Sequence, residues 1–340
     1  MNVKIIAQDA NVSVSTVSRV INERSGVDPA TRARVLEIMD KFDFCPTTII
    51  NKVKDIGVLL TLRPNPFQSE YIMELLAGIT EVAFSSDFEL NLVSQQSFLG
   101  NKSGVRQYCR IRGIVGLLAL APLKDVPLPE KLAGQKIPYV IVGSSYKDKD
   151  VNLVDVDNTA ASFEAIEHLI RLGHRRLGLV NSPLQLQCFL DRAKGYRLAL
   201  AKHGIEIDKD LIINEPLDIN ISRYAVDKLM HLQDPPTALF ITSYLHTLFI
   251  MDALKQRRIR IPQDISLVGF GDYRLTSYTI PPLTTVHQPV HELGQRAAET
   301  LLKLIQGETQ EPVQIALRAS LIIRDSTTNP GSENLNKGPV

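Results

Sequence analysis

Short apolar segments alternate with longer amphipathic segments from residue 56 to residue 306, and this alternation constrains the fold more than any other feature. The apolar segments have strand length, while the segments between them repeat apolar residues at helical spacing. Because near-continuous apolar strands between helices favour parallel sheets covered on both faces, we predict an α/β fold with parallel sheets for most of the chain. Strands are predicted at 56–62, 89–93, 113–120, 139–142, 177–180, 238–241 and 265–270, and helices at 71–84, 160–172, 193–202, 224–231, 245–256 and 290–306.

The chain of 340 residues is too long for one compact core, which predicts two or three domains. Its 44% hydrophobic and 22% charged residues are typical of a soluble globular protein. The net charge is +1, so any contact with nucleic acid must depend on a local patch of the surface.

Three cysteines, Cys45, Cys109 and Cys188, are widely spaced and odd in number. This spacing predicts neither a metal site nor a disulfide framework, and no cofactor is expected. The sequence reaches Asp9 before a signal-length apolar run develops, and no later run is long enough to span a membrane. We expect a soluble, cytoplasmic protein that does not contact a membrane.

The first fifty residues predict three short helices. The first ends near Asn11, a residue type that tolerates the left-handed backbone of a tight turn. Ser13 is placed to cap a second helix at about 14–21, and Asp28 followed by Pro29 is a strong start signal for a third. A helix, a short turn and a second helix with small polar side chains form the unit that fits the DNA major groove.

The side chains on the exposed side of the second helix suit DNA contacts. Serine, threonine and asparagine donate to phosphate oxygens, which fixes the register of a protein on DNA. Arg19 is long enough to donate two hydrogen bonds to a guanine, and Val14 can contact a thymine methyl group. On these residues alone, a small helical bundle with a solvated polar face remains an alternative. The exposed side carries Val14, Ser15, Thr16, Ser18, Arg19 and Asn22.

Residues 10–22, Ala-Asn-Val-Ser-Val-Ser-Thr-Val-Ser-Arg-Val-Ile-Asn, closely resemble the recognition segment of the LacI/GalR family of bacterial repressors. Residues 27–35, Val-Asp-Pro-Ala-Thr-Arg-Ala-Arg-Val, resemble the third helix of the same family. The resemblance implies that Val14, Ser15 and Arg19 contact bases. It also implies that Thr16, Ser18 and Asn22 hold the DNA backbone, and Ser13, the helix cap, belongs to the same predicted DNA-binding set.

In that family the segment after the third helix forms a short helix on DNA and places a leucine in the minor groove. Here Val53 stands where that leucine is expected, and the linker to the first predicted strand shortens to Lys54-Asp55. One interpretation keeps a wedge, made by Val53 or Ile50, that kinks the DNA. The other interpretation is a simple tether without a role in the minor groove, and the sequence leaves both open.

Landmarks in the rest of the chain resemble the effector domain of the same family, which is built like a type I periplasmic sugar-binding protein. They lie at 157–158, 167–176, 192–196, 261–270, 281–286 and 321–327. Asp157 and Asn158 are predicted to cap a helix where the chain crosses between lobes, and His174 is predicted to be structural. The resemblance implies a helix-turn-helix domain at 1–46, a linker at 47–55, an effector-binding and dimerisation domain at 56–327 and a disordered tail at 328–340. Within it, the N-lobe is assigned to about 56–156 and 285–311, and the C-lobe to about 157–284 and 312–327.

A cleft between two such lobes lies beyond the carboxyl ends of the strands, where ligands of open α/β sheets bind. The resemblance places Arg192 and an aromatic side chain in this cleft. The residues next to Phe67 match the family pattern, whereas the spacing to residues 75–78 favours Tyr71 as the aromatic residue. Both remain candidates. The predicted effector-binding set is Phe67, Tyr71, Arg192, Ser243, Tyr244 and Asp272.

Two departures from the family pattern bear on the ligand. Ser243-Tyr244 replaces the usual Asn-Asp, and Phe270-Gly271-Asp272 replaces the usual Phe-Asp-Asp or Phe-Asp-Asn. Because acidic groups at these places commonly bind sugar hydroxyls, an ordinary sugar becomes a less favoured ligand. A larger ligand beside Tyr244 and a sensor that has lost its ligand both stay open.

We predict a sequence-specific transcriptional regulator, a repressor by resemblance, that binds a palindromic double-stranded DNA operator as a homodimer or tetramer. A small-molecule effector, with a sugar or sugar derivative as one candidate, is expected to change its DNA affinity. The alternative is a cytoplasmic small-molecule-binding protein of the periplasmic type without regulatory DNA binding. No enzyme and no catalytic residue is expected, because no nucleophile elbow, metal-ligand spacing or glycine-rich phosphate loop occurs, and His246 and Asp252 do not share a helix face.

Overall fold

A computed structural model describes residues 3–21, 24–42, 44, 54–60, 69–100, 104–122, 128–132, 135–145, 150–182, 186–214, 219–309 and 311–330. Three helices come first: α1 (Val3–Asp9), α2 (Val14–Ile21) and α3 (Pro29–Lys41). They enclose one small apolar core, in which Ile6, Val17, Val20 and Val35 are completely buried. We call this unit the reader domain.

The predicted local signals of the reader domain are confirmed. Asn11 adopts a left-handed backbone with φ of 51° in the turn between α1 and α2. The Ser13 Oγ accepts a hydrogen bond of 3.0 Å from the Thr16 N–H, and the Asp28 Oδ1 accepts one of 2.9 Å from the Thr31 N–H. Both side chains satisfy an amide at a helix start that has no partner within its own helix.

The N-lobe is built on a parallel sheet of six strands in the order β11-β5-β4-β3-β1-β2. Helices flank it, and the longest two, α4 and α12, approach so closely that a Cβ on Gly78 would lie 2.1 Å from the His291 carbonyl oxygen. The strands are β1 (Lys54–Leu60), β2 (Phe88–Ser94), β3 (Ile114–Leu120), β4 (Tyr139–Val142), β5 (Leu153–Val156) and β11 (Gln314–Leu317). The helices are α4 (Glu70–Ser85), α5 (Gln95–Leu99), α6 (Val105–Ile111), α7 (Leu128–Leu132) and α12 (Val290–Gln306).

The C-lobe repeats this architecture with six strands in the order β12-β10-β9-β8-β6-β7. All neighbours are parallel except β12, which pairs antiparallel with β10 at one edge. The strands are β6 (Leu177–Asn181), β7 (Ile212–Asn214), β8 (Ala238–Ile241), β9 (Ser266–Phe270), β10 (Thr284–His287) and β12 (Ser320–Ile322). The helices are α8 (Asn158–Arg171), α9 (Gln187–Lys202), α10 (Ile219–Met230) and α11 (Tyr244–Gln256), with 3-10 turns at Lys209–Leu211 and Arg274–Ser277.

Several predicted boundaries need correction. β10 belongs to the C-lobe sheet although the crossing was predicted at residue 285, and β11 belongs to the N-lobe sheet although 312–327 was assigned to the C-lobe. Lys54 and Asp55, predicted as linker, already pair with β2 in β1. Thr328, predicted to begin the tail, is anchored, because its carbonyl oxygen accepts a hydrogen bond from the Ser266 hydroxyl. The tail from residue 331 onward lies outside the described residues.

Two structural roles predicted for polar residues are confirmed. The Asp157 Oδ1 accepts a hydrogen bond of 2.9 Å from the Ala160 N–H and so caps α8. His174 is buried and lies within hydrogen-bond distance of the Thr237 and Ser266 hydroxyls and the Thr328 carbonyl oxygen. No helix in the described ranges is both long and apolar enough to cross a membrane.

Candidate functional site

The exposed face of α2 carries the side chains predicted to contact DNA. Val14 exposes 46% of its surface although it is apolar, and Ser15, Ser18 and Arg19 are exposed around it. On the opposite face, Val17, Val20 and Ile21 fill the core of the reader domain. The helix is therefore held on one side and presents a small, polar, cationic surface on the other.

Two further residues fix the ends of α2. The Thr16 Oγ1 lies 2.9 Å from the Ser13 Oγ, so the two hydroxyls at the helix start are coupled. At the other end, the Arg32 guanidinium donates to the Val20 and Arg24 carbonyl oxygens at 3.4 and 2.8 Å. The sequence analysis did not predict this role for Arg32. Asn22 and Val53, both predicted to contact DNA, lie outside the described residues.

The reader domain also touches the N-lobe of the same chain. The Gln107 side-chain amide, on α6, donates a hydrogen bond of 3.1 Å to the Leu36 carbonyl oxygen on α3. Ile111 of α6 packs against the core of the reader domain. This contact uses α3 and leaves the exposed face of α2 uncovered by these residues.

Arg192 lies between the lobes in a fixed orientation. Only 7% of it is exposed; its Nε donates to the Asn158 Oδ1 at 2.9 Å and its Nη1 to the Thr242 carbonyl oxygen at 2.6 Å. The guanidinium carbon stands 3.7 Å from the centre of the Phe270 ring, a cation–π contact. Among the residues that the structure describes, its Nη2 donates no hydrogen bond and is available to a ligand.

A buried carboxyl group, Asp155, faces Arg192 from the end of β5. It is 5% exposed, and its Oδ1 accepts a hydrogen bond of 2.7 Å from the Val156 N–H. The Asn158 amide nitrogen lies 3.5 Å from both carboxyl oxygens, and among the described residues Asp155 forms no ion pair. Burial raises the pKa of Asp155 to about 7, because the charged form is poorly solvated there.

Tyr71 and Asp191 complete this part of the cleft. Burial raises the pKa of Tyr71 well above its usual value, and the charges of Asp155 and the neighbouring Cys188 add to this effect. A side chain on Gly143 would collide with the Tyr71 hydroxyl, so the ring rests against bare backbone. The Ser145 hydroxyl, from the N-lobe, donates a hydrogen bond of 2.6 Å to the Asp191 Oδ2 of the C-lobe. This bond joins the lobes across the cleft.

Two tyrosines form the other end of the cleft. The rings of Tyr244 and Tyr273 lie 4.7 Å apart at an angle of 62°. A Cβ on Gly271 would lie 2.7 Å from the Tyr273 ring, and this glycine has a φ of 107°. The glycine that the sequence marked as a departure therefore makes room for Tyr273.

The structure brings some of the predicted effector residues together and separates others. Tyr71, Arg192 and Tyr244 meet around Tyr273, whose pKa is raised by burial and responds to the charge of Arg192. Asp272 instead forms an ion pair of 2.8 Å with Arg324 and accepts a hydrogen bond of 2.8 Å from the Thr276 hydroxyl. Ser243 precedes α11 without a side-chain cap bond, and Phe67 lies outside the described residues.

Sequence reasoning missed Asp155, Asp191, Phe270 and Tyr273 as cleft residues. Asp155 sits in β5, a strand of four residues that the sequence analysis did not identify. An acidic residue at the end of an otherwise apolar strand was the available signal, since such strand ends line ligand sites in α/β folds.

Two family models match the chain. Residues 2–47 match bacterial regulatory proteins of the lacI family, and residues 166–327 match a periplasmic binding protein-like domain. The chain therefore carries a DNA-binding domain of the lacI family, followed by a periplasmic binding protein-like domain. The reader domain is this DNA-binding domain, and the two lobes form the effector-binding domain.

Relatives that match this chain over nearly its whole length are transcription regulators. The HTH-type transcriptional repressor PurR of Photobacterium profundum is 28% identical over 333 residues, covering 95% of this chain and 98% of the relative. The HTH-type transcriptional regulator CelR of Thermobifida fusca is 29% identical over 331 residues, covering 95% and 97%.

Solved structures of lacI family regulators have the same architecture. A transcriptional regulator CelR–cellobiose complex superposes with a TM-score of 0.74 at 28% identity, covering 96% of this chain and 99% of that one. The lac repressor dimer bound to operator and the anti-inducer ONPF superposes with a TM-score of 0.72 at 25% identity, covering 95% and 98%.

Proposed function

We propose that this protein binds a two-fold symmetric operator through α2 and that a small molecule in the interlobe cleft changes its affinity for that operator. Val14, Ser15 and Arg19 read base edges, while Ser13, Thr16 and Ser18 contact the DNA backbone. The protein acts in the cytoplasm and catalyses no reaction. The observation that carries this proposal is the exposed face of α2, held rigidly by the buried residues beneath it.

The physical argument for base reading rests on shape and charge. An α-helix fits the width of the major groove, and small side chains allow its backbone to approach the base edges. Val14 is exposed on this face, where its side chain can contact a thymine methyl group. Arg19, also exposed, supplies the two parallel donors that a guanine accepts.

The argument for an effector rests on Arg192 and the groups around it. Arg192 is desolvated and held by Asn158 and Thr242, yet it keeps one nitrogen for a further acceptor. A ligand bound there would touch Asp155 of the N-lobe and Asp191 of the C-lobe, and so would favour one relative position of the lobes. Ligand and operator affinity would then be linked in both directions. The complex of the relative CelR with cellobiose supports a small-molecule ligand of this class.

The argument for a dimer rests on an apolar patch of the C-lobe. Leu275, Tyr278, Ile280 and Ile323 expose 49, 72, 95 and 63% of their surfaces. Exposed apolar side chains in one region mark an interaction surface, and two copies of one patch make a two-fold interface. The dimeric state of the related lac repressor supports the same arrangement.

Selection from a pool of random-sequence duplex DNA with the full-length protein at moderate salt tests the proposal. We expect an enriched inverted repeat whose half-sites lie about one helical turn, or 10 base pairs, apart or a multiple of it. Enrichment of no repeated half-site would contradict the proposal and favour a small-molecule-binding protein without regulatory DNA binding.

A further inference from the structure

One carboxylate oxygen in the cleft has no hydrogen-bond donor. Glu70 is the first residue of α4, and its Oε2 is inaccessible to water, yet within the described ranges no group donates to it. A carboxylate removed from water without a compensating donor is unfavourable, so this oxygen is positioned for a donor that the chain does not supply.

Two tyrosines lie within electrostatic range of Glu70. Burial raises the pKa of the Tyr244 and Tyr273 hydroxyls, and the negative charge of Glu70 adds to this effect. One turn further along α4, burial raises the pKa of Glu74, which also feels the charge of Glu70. Glu70 therefore shares this end of the cleft with Tyr244 and Tyr273. A carboxylate beside aromatic faces is a favourable environment for an organic cation.

The charge balance of the cleft favours the same class of ligand. Glu70, Glu74, Asp155 and Asp191 contribute carboxyl groups. Arg192 acts on Asp155, which is only partly ionised at neutral pH because its pKa is about 7, and His287 and His291 act on Glu74. Two of the nitrogens of the Arg192 guanidinium are already bound to Asn158 and Thr242. A phosphate or carboxylate ligand would therefore enter a region with more negative than positive groups, whereas a cation would relieve their mutual repulsion.

We propose that the effector carries a protonated amine, whose N–H groups donate to Glu70 and whose charge lies against the rings of Tyr244 and Tyr273. This inference rests on the proposed function, since it names the ligand class of the interlobe cleft. It also gives a physical reason for Tyr244, which stands where the family usually has an acidic residue that binds sugar hydroxyls. The Tyr244 ring stabilises a cation, and its neutral hydroxyl is a weaker acceptor for sugar hydroxyls than the two oxygens of an aspartate.

Two matched sets of probes test the proposal on the full-length protein. Glucose, glucosamine and glucose 6-phosphate share one skeleton, and 1,4-butanediol, putrescine and succinate share another, so each set compares a neutral, a cationic and an anionic ligand. Thermal unfolding identifies the stabilising probes, because a ligand of the native state raises the Tm with its concentration. Calorimetric titration then gives the Kd of each.

We expect the amine of at least one set to stabilise the protein and the neutral and anionic partners to bind more weakly. Glu70→Gln should raise the Kd of the amine about tenfold or more, because a charge-assisted hydrogen bond to a buried carboxylate is lost. Glu81→Gln is the matched control: it lies on the same helix, is exposed, and should leave the Kd unchanged.

Three outcomes would overturn the inference: tighter binding of a neutral or anionic probe, no stabilisation by either amine, or a Kd that Glu70→Gln changes by less than about twofold. Operator binding, measured on the same preparation, separates this failure from failure of the proposed function. If operator binding is intact, any of these outcomes overturns only the inference that the effector is an amine. If operator binding is absent, the proposal that the protein is a DNA-binding regulator is overturned.

Discussion

At the scale of single residues, the cleft concentrates charged groups that are kept away from water. Arg192 is compensated by two acceptors and an aromatic face. Among the residues that the structure describes, Asp155 has the Val156 N–H and, at 3.5 Å, the Asn158 side-chain amide. The sequence could identify Arg192 and Tyr71 because the family resemblance marks their positions. It could not identify Asp155 or Tyr273, because their roles depend on packing between segments far apart in the chain.

Asp155→Asn should make the free energy of unfolding less sensitive to a rise in pH. Burial raises the folded-state pKa of Asp155 to about 7 from a reference value of 3.8, so its stabilising contribution is complete below about pH 4 and is lost as the pH rises through 7. Relative to wild type, the variant should gain on the order of 2 kcal/mol in free energy of unfolding between pH 5 and pH 8. Equilibrium denaturation at several pH values measures this difference.

The control for Asp155 is Asp157→Asn, two residues along the chain. Asp157 is exposed, and asparagine caps a helix as well as aspartate does, so its difference from wild type should not change over the same pH range. Burial lowers the pKa of His168 and His174, which costs stability as the pH falls below about 6.5. Since both histidines are present in every variant, their contribution cancels. A pH-independent effect of Asp155→Asn would contradict the account.

At the scale of elements, helices with chemical start signals were predictable and very short strands were not. The bounds of α2 and α3 follow from Ser13 and from Asp28-Pro29, where a single side chain satisfies a free amide. By contrast, β10, β11 and β12 have three or four residues, too few to establish an alternating pattern. Their sheet membership comes from long-range pairing, which explains why the lobe crossings were misplaced.

Ser13→Ala should loosen α2 without unfolding the protein. It removes the side-chain acceptor of the Thr16 N–H and leaves the Ser13 carbonyl oxygen as the remaining acceptor, a loss that costs about 0.5–2 kcal/mol for a helix N-cap. Hydrogen exchange of the α2 amides, followed by mass spectrometry on the full chain, should accelerate roughly 2- to 30-fold. Ser15→Ala changes an exposed serine at the second residue of the same helix and should leave the exchange unchanged. Equal acceleration in both variants would exclude a capping role.

At the scale of the whole molecule, the order of a DNA reader followed by two lobes was predictable, because each part has its own pattern. The contacts between these parts could not be predicted from the sequence. The Gln107–Leu36 hydrogen bond and the Ser145–Asp191 hydrogen bond each join segments that no local signal relates. One of these contacts joins the reader domain to the N-lobe, and the other joins the two lobes.

Ile280→Asp should convert the proposed dimer to a monomer. A charge at this position, which is 95% exposed in one chain, would be buried without a partner in a two-fold interface. Sedimentation should show the monomer, and operator affinity should fall because one half-site is lost from each complex. Ile207→Asp, on another exposed part of the C-lobe, is the control and should remain dimeric. A dimeric Ile280→Asp protein would place the interface elsewhere.

The most direct measurement compares the affinities of wild type and Arg19→Ala for the selected operator and for random DNA of the same length. If Arg19 reads a guanine, the variant should lose about 1–3 kcal/mol on the operator and much less on random DNA. Arg34→Ala, an exposed arginine on α3, should not change the ratio of the two affinities. An equal loss on both DNAs, or no loss on the operator, would contradict the claim that α2 reads sequence.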